Sequence, residues 1–89
     1  MMRAEQKREL EVLSDAEACP ELRKYYSFKD DPELAATARR LGMEPVPQMI
    51  KISKGTVPGE PMIELIGITD SGRKRLRVLR ARRAAEQRS

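Results

Sequence analysis

The sequence predicts a small α+β domain made of three helices, a long-looped β-hairpin and a basic C-terminal helix. Three observations carry that prediction. Helix-start signals stand at Asp31-Pro32-Glu33 and at Thr69-Asp70-Ser71. Two β-rich runs, 49–53 and 62–68, flank a loop full of turn residues. The last twenty residues hold eight Lys/Arg against only Asp70 and Glu86. With 89 residues the chain has room for one domain, 1–89, in which 77–89 form a basic helical extension. A chain of this size buries only ~60–65% of its unfolded surface, so a partner or a homodimer could add to its stability.

The elements follow in order. Residues 3–18 are rich in Glu, Lys, Gln, Leu and Ala, with no Gly or Pro before Pro20. Met2, Gln6, Leu10 and Leu13 share one face of this first helix, and Gln6 interrupts the apolar stripe. Cys19-Pro20-Glu21 ends it and starts a second helix, on which Leu22, Tyr25 and Tyr26 share a face. Tyr25, Tyr26 and Phe28 are the only aromatics, and they read as a packed corner of an otherwise aliphatic core. The third helix spans 32–41. Leu34, Ala38 and Leu41 form its buried stripe, Gly42 is its left-handed terminator, and Ala36, Arg39 and Arg40 face away.

Pro45 and Pro47 lead into the hairpin, whose strands place Ile50 with Ile52 and Ile63 with Leu65. Ile66 and Ile68 break the alternation, so Gly67 marks a bulge or a twist. In the closing helix Leu76 and Leu79 face one way, and arginines cover much of the rest. Leu34, Leu41, Ile52, Ile63, Leu65 and Leu76 are the expected core.

Composition excludes several chemistries. The chain has no histidine, which removes histidine acid/base catalysis, histidine-dependent nucleophiles and histidine metal ligands. Cys19 stands alone, so neither an intrachain disulfide nor a cysteine zinc site can form. Asp30, Asp31 and Glu33 are explained as helix-start residues, and no glycine-rich phosphate loop is present. The expectation is therefore a protein that is not an enzyme and needs no cofactor. The apolar runs are far shorter than the ~20 residues that cross a bilayer, and no apolar stretch follows Met-Met-Arg-Ala-Glu-Gln-Lys. No membrane partner is expected, and a lone cysteine fits a reducing, cytoplasmic location.

The net charge of +4 is unevenly spread. Residues 1–69 carry ten Lys/Arg against twelve Asp/Glu, while 70–89 carry a surplus of six positive charges. Such asymmetry points to a polyanion or to an acidic protein surface.

One segment sharpens the choice. Ile68-Thr69-Asp70-Ser71-Gly72, followed by Leu76, resembles the junction of the last wing strand with the closing helix in winged-helix regulators of the PadR and MarR type. Thr37-Ala38-Arg39-Arg40-Leu41-Gly42-Met43 also looks like part of such a domain. The resemblance covers residues 31–76 and implies a winged-helix DNA-binding protein, a regulator or accessory factor. It makes 32–41 the recognition helix, with Arg39 and Arg40 towards duplex DNA and Lys51 and Lys54 on the wing. Arg73, Lys74, Arg75, Arg77 and Arg80 would neutralise phosphates. Two other functions fit the same residues: a protein-binding adaptor or inhibitor on a winged-helix-like scaffold, and an RNA- or ribosome-associated protein that uses the arginine-rich end.

Overall fold

The computed structural model describes residues 2–19, 21–43, 47–54 and 62–88. Its elements are α1 (Ala4–Ala18), β1 (Lys24–Ser27), α2 (Pro32–Met43), β2 (Ile50–Lys54), β3 (Met62–Ile68) and α3 (Asp70–Arg88). The three strands form one antiparallel sheet in the order β1-β3-β2, so the last strand lies between the other two. This small α+β layout is compatible with a winged-helix-like domain. Pro58 and the rest of the hairpin tip lie outside the described residues, as does Pro45.

The expected second helix is a strand. Residues 24–27 pair with β3, setting Lys24 opposite Leu65 and Tyr26 opposite Ile63. Two adjacent tyrosines suit a pleated, half-buried ribbon better than a helix. Period-2 alternation then separates the two tyrosines that a helix would have grouped: Tyr26 is buried and Tyr25 exposed, and Leu22, ahead of the strand, is exposed as well. Ser27 ends the strand in a turn, its Oγ accepting from the backbone N–H groups of Lys29 (3.1 Å) and Asp30 (3.3 Å). Because of this change α2 is the one helix between β1 and β2 among the described residues, and no second helix pairs with it there.

A further correction concerns Gly42. It lies inside α2, which runs on to Met43, and does not terminate it. A Cβ built there would stand 2.7 Å from Ile52 Cδ1, so the missing side chain lets α2 close onto β2. The hairpin shows the expected irregularity. Lys51 pairs with Gly67 and Ile52 with Leu65, which leaves Ile66 as the extra residue of a bulge. The bulge returns Ile68 to the core side after the exposed Ile66.

α1 and α2 cover one face of the sheet, and α3 packs chiefly on α1. The core joins Val12, Leu13 and Ala16 of α1 to Leu41, Ile50 and Tyr26. Leu41, Ile63, Leu65 and Leu76 are buried as expected, and Leu34 and Ile52 pack against the core half-buried. The buried face of α1 is rotated from the expected stripe, because Glu9, Val12 and Ala16 turn inward as well. Gln6 faces outward enough to reach back with Oε1 to the Arg3 N–H at 3.1 Å.

Candidate nucleic-acid interface

The position of α3 is fixed at its first turn. Thr69 Oγ1 accepts from the Gly72 N–H at 3.1 Å, the bond expected of an N-cap residue. The same hydroxyl donates to the Gln48 carbonyl, and the Thr69 N–H donates to the Met49 carbonyl at 3.1 Å. A Cβ on Gly72 would stand 1.9 Å from that Met49 oxygen, so the chain entering β2 lies directly against the helix. The Met49 N–H in turn donates to the Leu41 carbonyl at 3.2 Å. Residues 48–49 therefore tie the end of α2 to the start of α3.

Farther along α3, Gly72, Leu76 and Leu79 are buried, and Arg75 reaches back to α1. Its Nε and Nη2 donate to Glu9 Oε2 at 3.2 and 3.1 Å. The other Glu9 oxygen accepts from Arg40 Nη2 at 2.6 Å, and Arg40 also pairs with Glu5 at 3.1 Å. Glu9 is only 8% exposed, so one carboxylate inside the molecule joins three helices. Sequence patterning missed this role, because a glutamate on a helix reads as solvated surface. A signal was present: Glu9 stands one position before Leu10, within the turn that must face the core. Arg80 Nη2 pairs with Glu17 Oε1 at 2.9 Å in a more exposed setting.

The nine cations expected to meet nucleic acid thus divide. Arg40, Arg75 and Arg80 are engaged with carboxylates of α1. Arg39, Lys51, Arg73, Lys74 and Arg77 are exposed, and none of them makes an ion pair with a described carboxylate. Lys54 is the last residue of β2. On α3 the exposed set extends to Arg82, Arg83 and Arg88, which the count of basic residues had signalled without singling them out. At 100° per residue, Asp70, Lys74, Arg77, Val78, Ala81, Ala85 and Arg88 lie on the side opposite Leu76 and Leu79, with Arg73 and Ala84 towards its edge. This outward row sets cations among apolar side chains, with one acid in the first turn.

The α1 flank of α3 has the opposite character. An open groove of about 680 Å³ runs between the two helices, where Lys7 and Arg83 face the acids Glu11, Asp15 and Glu86 around Leu10. On the far side of the molecule Leu22, Tyr25 and Ile66 leave apolar surface exposed. A hydrogen bond to Glu64 and its charge raise the Tyr25 phenol.

Two groups in the interior are held neutral. The Tyr26 phenol is pushed far above its usual range, first by burial and then by its hydrogen bond to Asp15 Oδ2. Burial, followed by the nearby Asp15, raises the Cys19 thiol, whose Sγ donates to the Leu22 carbonyl at 3.0 Å. Among the described residues no three His, Cys, Asp or Glu side chains gather as a metal site, and no helix is long and apolar enough to cross a membrane. The chain matches no protein-family model, and no curated protein or solved structure matches it either.

Proposed function

We propose that the protein is a winged-helix-like, duplex-DNA-binding regulator or accessory factor in which α3 supplies most of the affinity. The observation that carries this reading is the outward row of α3. Arg73, Lys74, Arg77 and Arg88 are exposed, make no ion pair with a described carboxylate and are interspersed with Val78, Ala81 and Ala84, on a face whose first turn holds Asp70. At ~1.5 Å per residue the row from Arg73 to Arg88 extends about 22 Å, enough to follow several phosphates. Lys51 on β2, with Lys54 at its end, would add contacts from the wing, and Arg39 would add one from α2. Arg40, Arg75 and Arg80 take a different part: through Glu9 and Glu17 they hold α2 and α3 on α1.

The test is a titration with random-sequence duplex DNA over a range of salt. Binding that weakens with salt, by ~0.9 in the log–log slope per phosphate contacted, supports the reading. No binding at ~50 mM salt ends it. Much tighter binding to structured RNA would transfer α3 to that partner. A second reading, a protein-binding adaptor, draws on exposed Leu22, Tyr25 and Ile66. A partner bound equally well at high salt, and lost with Tyr25→Ala and Ile66→Ser, would favour it.

A further inference from the structure

We infer that the DNA contact is indifferent to base sequence, with α3 laid on the sugar-phosphate backbone and no helix reading base edges; this rests on the duplex-binding function proposed above. Direct readout of adenine relies on side-chain amides, which pair with its N6 and N7. The chain contains no asparagine and only three glutamines. Gln6 accepts from the Arg3 N–H, and Gln48 donates to the Gly42 carbonyl, which leaves Gln87 near the chain end.

Guanine readout uses an arginine or lysine carried into the major groove, most often together with other polar side chains that complete the pattern. On α2 the exposed side chains are Pro32, Glu33, Ala36, Arg39 and Met43. Glu33 is negative and paired with Arg8 at 3.3 Å, and Arg40 is drawn onto Glu9 and Glu5. Arg39 alone could read a base from α2, and it has no polar neighbour on that face to complete a pattern. The α3 row, by contrast, sets its cations among apolar side chains and presents no side-chain amide. Such a surface recognises charge spacing, which every duplex shares. The acids of the α1 flank, Glu11 and Asp15 among them, repel phosphates and leave the outward row as the approach.

The experiment compares affinities of the full chain for A·T-rich, G·C-rich and mixed duplexes of one length at ~100 mM salt, alongside selection from a randomised pool. The expected result is a spread within ~3-fold and no enriched motif, since a single good base contact alone discriminates about 5- to 150-fold. Arg73→Ala/Lys74→Ala/Arg77→Ala should weaken every duplex alike and flatten the salt slope by up to ~3. These side chains are exposed and unpaired, and circular dichroism checks that the variant stays folded. Gln87→Ala should change nothing. A selected site bound 10-fold more tightly, with the preference lost in Arg39→Ala, overturns sequence indifference while leaving DNA binding intact. Failure to bind any duplex at ~50 mM salt overturns the proposed function itself, and this inference with it.

Discussion

The two halves of α3 differ in what holds them. From Asp70 to Leu79 one face of the helix joins the core, where Gly72, Leu76 and Leu79 are buried and Arg75 is paired with Glu9, while Arg73, Lys74 and Arg77 stay exposed on the other face. From Arg80 to Arg88 no residue is buried, and Arg82, Arg83 and Arg88 extend into solvent. An arginine one turn from a buried leucine can find an acid on a neighbouring helix and become structural. Past Arg80, which pairs with Glu17 in a more exposed setting, no α3 arginine pairs with a described carboxylate, and the charge stays available to an external polyanion. Counting basic residues therefore overstates the interface unless each is placed against the core first.

The contrast is open to direct attack. The largest expected effect lies in the packed half: Leu79→Ala should cost about 3–4 kcal/mol in denaturant unfolding, since Leu79 is fully buried. A loss below ~0.5 kcal/mol would mean that α3 does not dock as described. Gly72→Ala should cost about 3 kcal/mol, because the new methyl meets a backbone oxygen that cannot swing aside. Gly67→Ala serves as its control, with nothing within 4 Å of the added carbon, and should leave the midpoint nearly unchanged.

Glu9→Gln comes next, at about 2 kcal/mol. A fully buried pair would lose ~3–5 kcal/mol, but Arg40 and Arg75 keep 37% and 29% side-chain exposure and can rehydrate. Tyr26→Phe should cost about 1 kcal/mol at neutral pH, from the lost bond to Asp15. Its pH dependence is the sharper check. The folded phenol ionises far above its unfolded value of ~10, so its contribution is fully present below that pH and is lost as pH rises past it. Unfolding midpoints at pH 8 and pH 11 should therefore fall more for the natural protein than for Tyr26→Phe. The smallest effect belongs to the exposed half. Arg80→Ala removes an ion pair whose side chains are 51% and 37% exposed, and should shift stability by less than ~0.5 kcal/mol. A loss above 1 kcal/mol would extend the packed region past Leu79.

Much of this was legible in the chain. The cap at Thr69, the close approach at Gly72 and the bulge beside Gly67 each follow from one residue type meeting a local backbone demand. Local demands are what a sequence displays best. The strand at 24–27 was harder to see, because its pairing partner lies almost forty residues later and the run is only four residues long. Gly42 was misread for a related reason. A glycine ending an apolar stripe looks like a terminator, whereas here it is the approach of Ile52 that calls for it. For the interface, the sequence displayed which residues are cationic but not which cations are already paired. That division depends on Glu9, whose neighbours come from two other helices.

Glu9 also bears on the order of folding events. Its bonds to Arg40 and Arg75 close loops of 31 and 66 residues, the longer one spanning nearly three-quarters of the chain. Loops of that size form only after local turns and the β2–β3 hairpin have reduced the entropy of closure. The carboxylate then clamps a chain that is already mostly assembled, and contributes little to the folding transition state. Removing it should leave the refolding limb of a chevron plot nearly unmoved and raise the unfolding limb, a φ-value near zero. This one side chain therefore bears on how long the protein stays folded more than on how fast it folds.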